Sequence, residues 1–353
     1  MAIKSSGSPN PPLSFTEIEA EFGQNNSRSL GDYRITQSVG QLSNLPLDNG
    51  IPQGNAQIAF SDFYSKRLNI VVDCFSTDAQ SGGVEEERVD AKTDKWNNNK
   101  VVVIGGGSKK EAGSKIIIHV NTKICSIQLG NQATQQVCAL KTGNWNNTSN
   151  VQVDLGSSTQ ILGAGGNGGK GQNGISETAG QDGLPGNSAL GIESDNAIVN
   201  VGSGAVIRCG FGGGGGGDGG RQVDKGSDRR ASGGGGGGGA GCPAGSGGAG
   251  GSVQSGDNDS GGNPGKDGDE LQGGAGGSGG DNQDQAGGNE GGSGADPDDT
   301  EAGNGGASGG ANGAAIRRTA GFSITINTTG SATGLGALSG TGITGDTNAE
   351  GVS

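Results

Sequence analysis

Four cations stand close together in a chain that is otherwise strongly acidic. Arg221, Lys225, Arg229 and Arg230 all fall within "DGGRQVDKGSDRR" (218–230). Guanidinium forks hold phosphate and carboxylate through paired hydrogen bonds. This stretch, with Asp228 among its cations, is therefore the candidate reader of an anionic ligand. The plainer role for the same cations is to offset Asp218, Asp224 and Asp228 as exposed pairs. Acids gather in the other polar stretches between glycine runs, among them Asp257, Asp259, Asp281, Asp284 and Asp298. "DNDSGGNPGKD" (257–267) resembles a calcium loop only loosely. It lacks the ligand spacing and the twelfth-position Glu of an EF-hand, so the acids read as solvated turns, open to a receptor.

Little else could do chemistry. "VVVIGGGSKKEAGSK" (101–115) puts glycines after an apolar strand. Lys110 stands where a dinucleotide fingerprint needs Gly, Gly107 to Gly113 is one residue too long for a P-loop, and Ser114-Lys115 has the wrong order. The stretch reads as a hairpin connection. His119 is the only histidine and lies inside an apolar strand, so it reads as structural. Cysteines 74, 125, 138, 209 and 242 are odd in number and show no CxxC spacing. That pattern fits reduced thiols better than a disulfide framework or a zinc site. The sequence thus predicts no cofactor, no metal and no enzyme. A net charge of −13 argues against a nucleic-acid partner. No apolar run approaches the length of a membrane span, and no apolar leader follows Met1-Ala2-Ile3-Lys4.

The elements that would position these residues fall into four parts. Residues 1–66 read as a small helical module. "SFTEIEAEFG" (14–23) has Ser14 as cap, Glu17 three residues on and Gly23 as a left-handed stop. "SLGDY" (29–33) and "AFSDFYSKR" (59–67) echo it. Phe15, Ile18, Phe22, Leu30, Tyr33, Phe60, Phe63 and Tyr64 hold most of the chain's aromatic side chains. Helices this short need something to dock on, and the excess of apolar anchors predicts an assembly contact. Residues 67–160 switch to period two: Leu68, Ile70, Val72 and Cys74 share a face, and strands are predicted over 100–106, 115–120, 124–130, 135–140 and 150–156. Residues 161–330 are dominated by glycine, and 331–353 form a weakly specified tail after a closing strand near 321–330.

Of 353 residues, 81 are Gly. Collagen would need strict Gly-X-Y and abundant Pro, and only nine Pro are present. Flexible linkers are the usual fate of such composition. Here, however, the runs have similar lengths and are divided by turn-like polar tips, as a folded-back array requires. Polyproline-II helices have three residues per turn and no internal hydrogen bonds. Made of Gly, they could approach one another closely and bond through their backbones. The predicted fold is therefore mainly β: a short N-terminal helical anchor, a β domain, then a glycine-rich polyproline-II bundle with polar loop tips.

"SFTEIEAEFG", "SLGDY" and "IAFSDFYSKR" resemble an N-terminal segment shared by tailed-phage structural proteins. "KIIIHVNTKICS", "CALKTGNWNN", "ILGAGGNGGKGQNG", "SALGIES" and the long glycine tracts, spread over about residues 13–320, are similar to the Gly-rich tail adhesins of tailed phages. The resemblance implies a non-enzymatic virion protein of the tail, fibre or baseplate, made in the host cytoplasm. It implies a polyglycine-type sandwich with receptor-binding loops, and no catalytic residues. The expected partners are other tail, fibre or baseplate proteins and a host cell-surface receptor, either a glycan or an outer-membrane protein. A symmetric homo-oligomer such as a trimer is also expected. The alternative is a purely structural tail component that does not touch the receptor.

Overall fold

The structure is a computed structural model that describes residues 11–22, 30, 50–52, 55–66, 69–74, 89–90, 101–103, 115–126, 135–145, 150–174, 179–224, 227–252, 261–280, 288–297, 303, 306–328, 342–344 and 346–352. The chain opens with a helix, α1 (Phe15–Phe22), and a short 3-10 turn, Phe60–Phe63. The strands follow in order: β1 (Ile70–Cys74), β2 (Val89–Asp90), β3 (Val101–Val103), β4 (Lys115–Val120), β5 (Lys123–Cys125) and β6 (Cys138–Lys141). Then come β7 (Asn150–Leu155), β8 (Gln160–Leu162), β9 (Ser188–Ile192), β10 (Ala197–Val201), β11 (Val206–Arg208), β12 (Arg221–Asp224) and β13 (Ser227–Arg230). The last four are β14 (Ile316–Arg318), β15 (Ile324–Thr328), β16 (Gly342–Thr344) and β17 (Ala349–Glu350). The protein is mainly β, and no helix among the described residues is long and apolar enough to cross a membrane.

Three sheets are parallel throughout except for β3, in the orders β15-β10-β7-β4-β1-β3, β16-β11-β8-β5 and β17-β14-β9-β6-β2. Read along the chain, β4-β5-β6, β7-β8-β9, β10-β11-β14 and β15-β16-β17 each give one strand to each sheet. The chain is thus wound as a three-sided parallel β-solenoid. Alternation is what makes the winding possible: every second residue faces inward and stacks on its equivalent one coil away. Ile70, Ile116 and Val151 are in register, as are Val72, Ile118, Val153, Val199 and Ile326. A second column stacks Ile124, Ile161 and Ile207, and a third Leu140, Leu190 and Ile316. Most of these side chains form one buried cluster, joined by Trp145.

The glycine-rich segments all leave this solenoid at one corner, between the second-sheet strand and the third-sheet strand of a coil. Residues 163–187 join β8 to β9, and residues 209–315 join β11 to β14. Strands on both sides of position 160 therefore share the same three sheets, and the 331–353 stretch supplies β16 and β17 to the last coil.

Within the glycine segments the N–H groups bond to other segments with a period of three. In 231–242, Gly233, Gly236, Gly239 and Cys242 donate to Gln172, Gly169, Gly166 and Gly163. Gly234, Gly237 and Ala240 donate to Asn289, Gly292 and Ala295, while Gly235, Gly238 and Gly241 donate to Asn263, Lys266 and Asp269. The carbonyls of the same stretch accept from three further segments: from Gly217, Gly214 and Phe211; from Gly251, Gly248 and Gly245; and from Gly280, Gly277 and Gly274. One segment is thus ringed by six. The side chain has no room here: a Cβ on any residue from Gly233 to Gly239 would lie 1.8–2.1 Å from a neighbouring backbone oxygen. Outer segments show the same period as exposure. Ser246, Ala249 and Ser252 are exposed while Gly245, Gly248 and Gly251 are buried. Side-chain oxygens also replace missing backbone acceptors at the rim: Asn312 accepts from Gly212, Asn167 from Ser246 and Asp267 from Gly247.

Two sequence expectations are corrected. Cys125 and Cys242 form a disulfide with Cα atoms 5.3 Å apart, while Cys74, Cys138 and Cys209 are free and buried. The pair is 117 residues apart in sequence, so spacing gave no sign of it. The stretch 101–115 is not a hairpin connection either. β3 runs antiparallel to β1 on one side and β4 runs parallel to β1 on the other, so residues 104–114 link strands that straddle a third. A run of apolar residues predicts that a strand forms, not which strand it lies beside.

Candidate functional site

The backbone register sorts the polar tips into two ends. At one end, Asp269–Gln272 and the Cys242–Pro243 turn meet the solenoid. The Ser126 amide donates to the Cys242 carbonyl at 3.1 Å beside the disulfide. Glu270 meets Lys123 of β5 at 2.5 Å and Arg208 of β11 at 3.4 Å. Arg208 is almost fully buried, and that burial holds its pKa below the ordinary arginine value, opposed by the Glu270 charge. Burial likewise pushes the neighbouring Cys209 thiol up to about 12. Lys123, Arg208 and Glu270 carried no sequence signal, since 147 and 62 residues separate the partners. They fix the orientation of the glycine array on its base.

At the other end, the described flanks of the remaining tips lie within one layer. Gly174 donates to Ser252, Gly262 to Gly251, Gly280 to Ser232, Gly288 to Gly280, and Asn289 to Asp218. Gly306 bridges to Gly217. The connections 175–178, 218–230, 253–260 and 281–287 therefore all depart from the end of the array that faces away from the solenoid. Among them the 218–230 connection has described backbone: β12 and β13 form an antiparallel hairpin pairing Arg221 with Arg230, Gln222 with Arg229, Val223 with Asp228, and Asp224 with Ser227. The structure thus sets Arg221, Asp228, Arg229 and Arg230 on one ribbon. Lys225, Asp257, Asp259, Asp281, Asp284 and Asp298 lie outside the described residues. The flank of Asp298 belongs to the other end, where Ala295 donates to Gly212 and Asp296 accepts from Gly273.

The expected anchor residues largely converge. Ser14 and Glu17 cap α1 reciprocally, with the Ser14 amide donating to Glu17 at 2.9 Å. Ile18, Ile51 and Phe63 are buried, and Leu13, Phe15, Leu30, Ile58 and Phe60 pack on them while remaining partly exposed. Phe15 and Phe60 meet edge to face with centroids 4.8 Å apart. The Tyr64 hydroxyl donates to the Pro11 carbonyl. Phe22 ends α1, and Tyr33 lies outside the described residues. His119 is buried in β4, in register with Asp154. No group of three or more metal-ligating side chains occurs among the described residues.

No curated protein matches the chain. Among solved structures, the crystal structure of the gp37-gp38 adhesin tip complex of the bacteriophage S16 long tail fiber is similar at 18% identity and a TM-score of 0.38. The match covers 91% of this chain and 98% of that one. The model of the family described as "Phage tail fibre adhesin Gp38" matches residues 86–342, well over half of the sequence. The chain belongs to the phage tail fibre adhesin Gp38 family.

Proposed function

We propose that this protein sits at the tip of a tail fibre and binds the host cell surface through the connections at the solenoid-distal end of its glycine array. The observation that carries this reading is the shared layer of tip flanks: four connections of differing sequence leave one end of a backbone-bonded array. Variable loops on a rigid scaffold are how recognition surfaces are commonly built. Membership of a tail fibre adhesin family supports a position on the virion tail. In this reading the glycine segments are polyproline-II-type helices. Their period-three bonding supports this, because three residues per turn sends successive N–H groups to three different neighbours. Nine residues would then carry the tips roughly 28 Å from the base.

The N-terminal cluster is the attachment surface in this proposal. Phe15, Leu30 and Phe60 leave apolar surface partly uncovered around Ile18, Ile51 and Phe63, and such surface serves a partner, here another fibre protein. The test is competition. Purified full-length protein should lower adsorption of the phage to host cells in a dose-dependent way. Saturating protein that leaves adsorption unchanged would favour a structural component with no receptor contact.

A further inference from the structure

We propose that the β12–β13 hairpin binds phosphate groups of a cell-surface glycan through Arg221 and Arg230. This deepens the recognition reading and rests on it. The argument comes from register. In an antiparallel ribbon, directly opposed residues share a face and alternate pairs take alternate faces. Arg221/Arg230 and Val223/Asp228 therefore share one face, and Gln222/Arg229 and Asp224/Ser227 share the other. The second face is balanced, one Arg against one Asp. The first carries two Arg against one Asp, and its two cations oppose each other directly.

Opposed like charges destabilise a ribbon. A surplus cation on such a pair is relieved by an anion held between the two. One guanidinium fork satisfies both oxygens of a carboxylate, whereas a phosphate group presents enough oxygens and charge to engage two forks. The distal connections 253–260 and 281–287 each contain two Asp and no cation, and 175–178 contains Glu177. The hairpin is thus the net-positive element among the connections leaving that end, and it offers an anionic glycan the complementary charge.

The test uses full-length protein and a phosphorylated surface glycan purified from the strain on which the phage grows. Binding is measured before and after removal of the glycan's phosphate with hydrofluoric acid, with inorganic phosphate as competitor. The expected result is binding that falls at least tenfold on dephosphorylation and is competed by inorganic phosphate. Arg221→Ala/Arg230→Ala should lose binding at least tenfold and Arg221→Lys/Arg230→Lys nearly as much, since lysine keeps the charge but not the fork. Arg229→Ala, which removes a cation from the balanced face, should bind within twofold of wild type. Unchanged thermal unfolding of all variants shows that the array is intact. The proposal is overturned if Arg229→Ala matches the double Ala variant, if the Lys variant binds like wild type, or if dephosphorylated glycan binds equally. Cell binding abolished by protease but not by dephosphorylation would assign recognition to an acidic protein loop; it would overturn the phosphate inference and leave the distal-end reading standing. Failure of wild-type protein to bind cells at all would remove both.

Discussion

Adding one methyl group to the middle of the glycine array should be among the most damaging changes this protein can take. In Gly236→Ala the new Cβ would lie 2.0 Å from the Gly214 carbonyl oxygen, against an ordinary contact of 3.4 Å or more. The obstacle is backbone, so the segments must part by about 1.4 Å. Between the same two segments the Gly214 amide donates to Gly237 at 2.8 Å. An added 1.4 Å takes that bond well beyond the usual 2.7–3.2 Å range. Losing it and one neighbour, at about 1–3 kcal/mol for each buried bond, gives a destabilisation of about 2–6 kcal/mol. The stiffer unfolded chain of Ala returns only about 0.4–1 kcal/mol. Gly261→Ala is the matched control, because its Cβ would meet the Gly251 oxygen at 3.2 Å, a misfit of a few tenths of an ångström. Calorimetric or denaturant unfolding of the two variants should differ by at least about 2 kcal/mol, given those bond energies. Equal midpoints would refute the reasoning that the array is held by close backbone packing.

Cys242→Ser should lower the unfolding midpoint of oxidised protein to that of reduced wild type. The loop-closure relation for a cross-link spanning 117 residues gives roughly 5 kcal/mol as its ceiling, and 2–4 kcal/mol is typical. Thiol titration of unreduced protein should find three thiols after unfolding, and Cys209, buried with its pKa pushed to about 12, should be unreactive at pH 8 while folded. Asp195 links the β9–β10 turn to Ser323, whose amide and hydroxyl hold its pKa below the usual value. A depressed carboxylate pKa stabilises above the unfolded value and loses that contribution as pH falls through the folded value. Asp195→Asn should therefore narrow the stability gap between pH 6 and pH 3, and an unchanged gap would count against it.

The strands were legible because inward residues alternate: Ile116, Ile118 and Val120 announce β4 without help. How they stack was not legible, because period two marks a buried face and leaves open which coil lies beneath it. The weak strands Gly342–Thr344 and Ala349–Glu350 form because a finished coil offers them paired edges, which no local propensity encodes. Uninterrupted glycine marks 233–239, ringed by neighbours, while a small residue every third position marks rim segments such as 245–252. Which tips share an end was hidden, since it follows from hydrogen bonds between segments far apart in sequence. The Lys123–Glu270–Arg208 cluster and the disulfide were hidden for the same reason.

Recognition at the solenoid-distal end is tested most directly by exchanging tips at one end only. Phage carrying Gly-Ser replacements of 253–260 and 281–287, together with Arg221→Ala/Arg230→Ala, should assemble normally and adsorb to host cells at least tenfold more slowly. The same replacement of Leu271 and Gln272, at the solenoid end, should leave adsorption at the wild-type rate. The opposite pattern, or equal adsorption by both, would contradict the account.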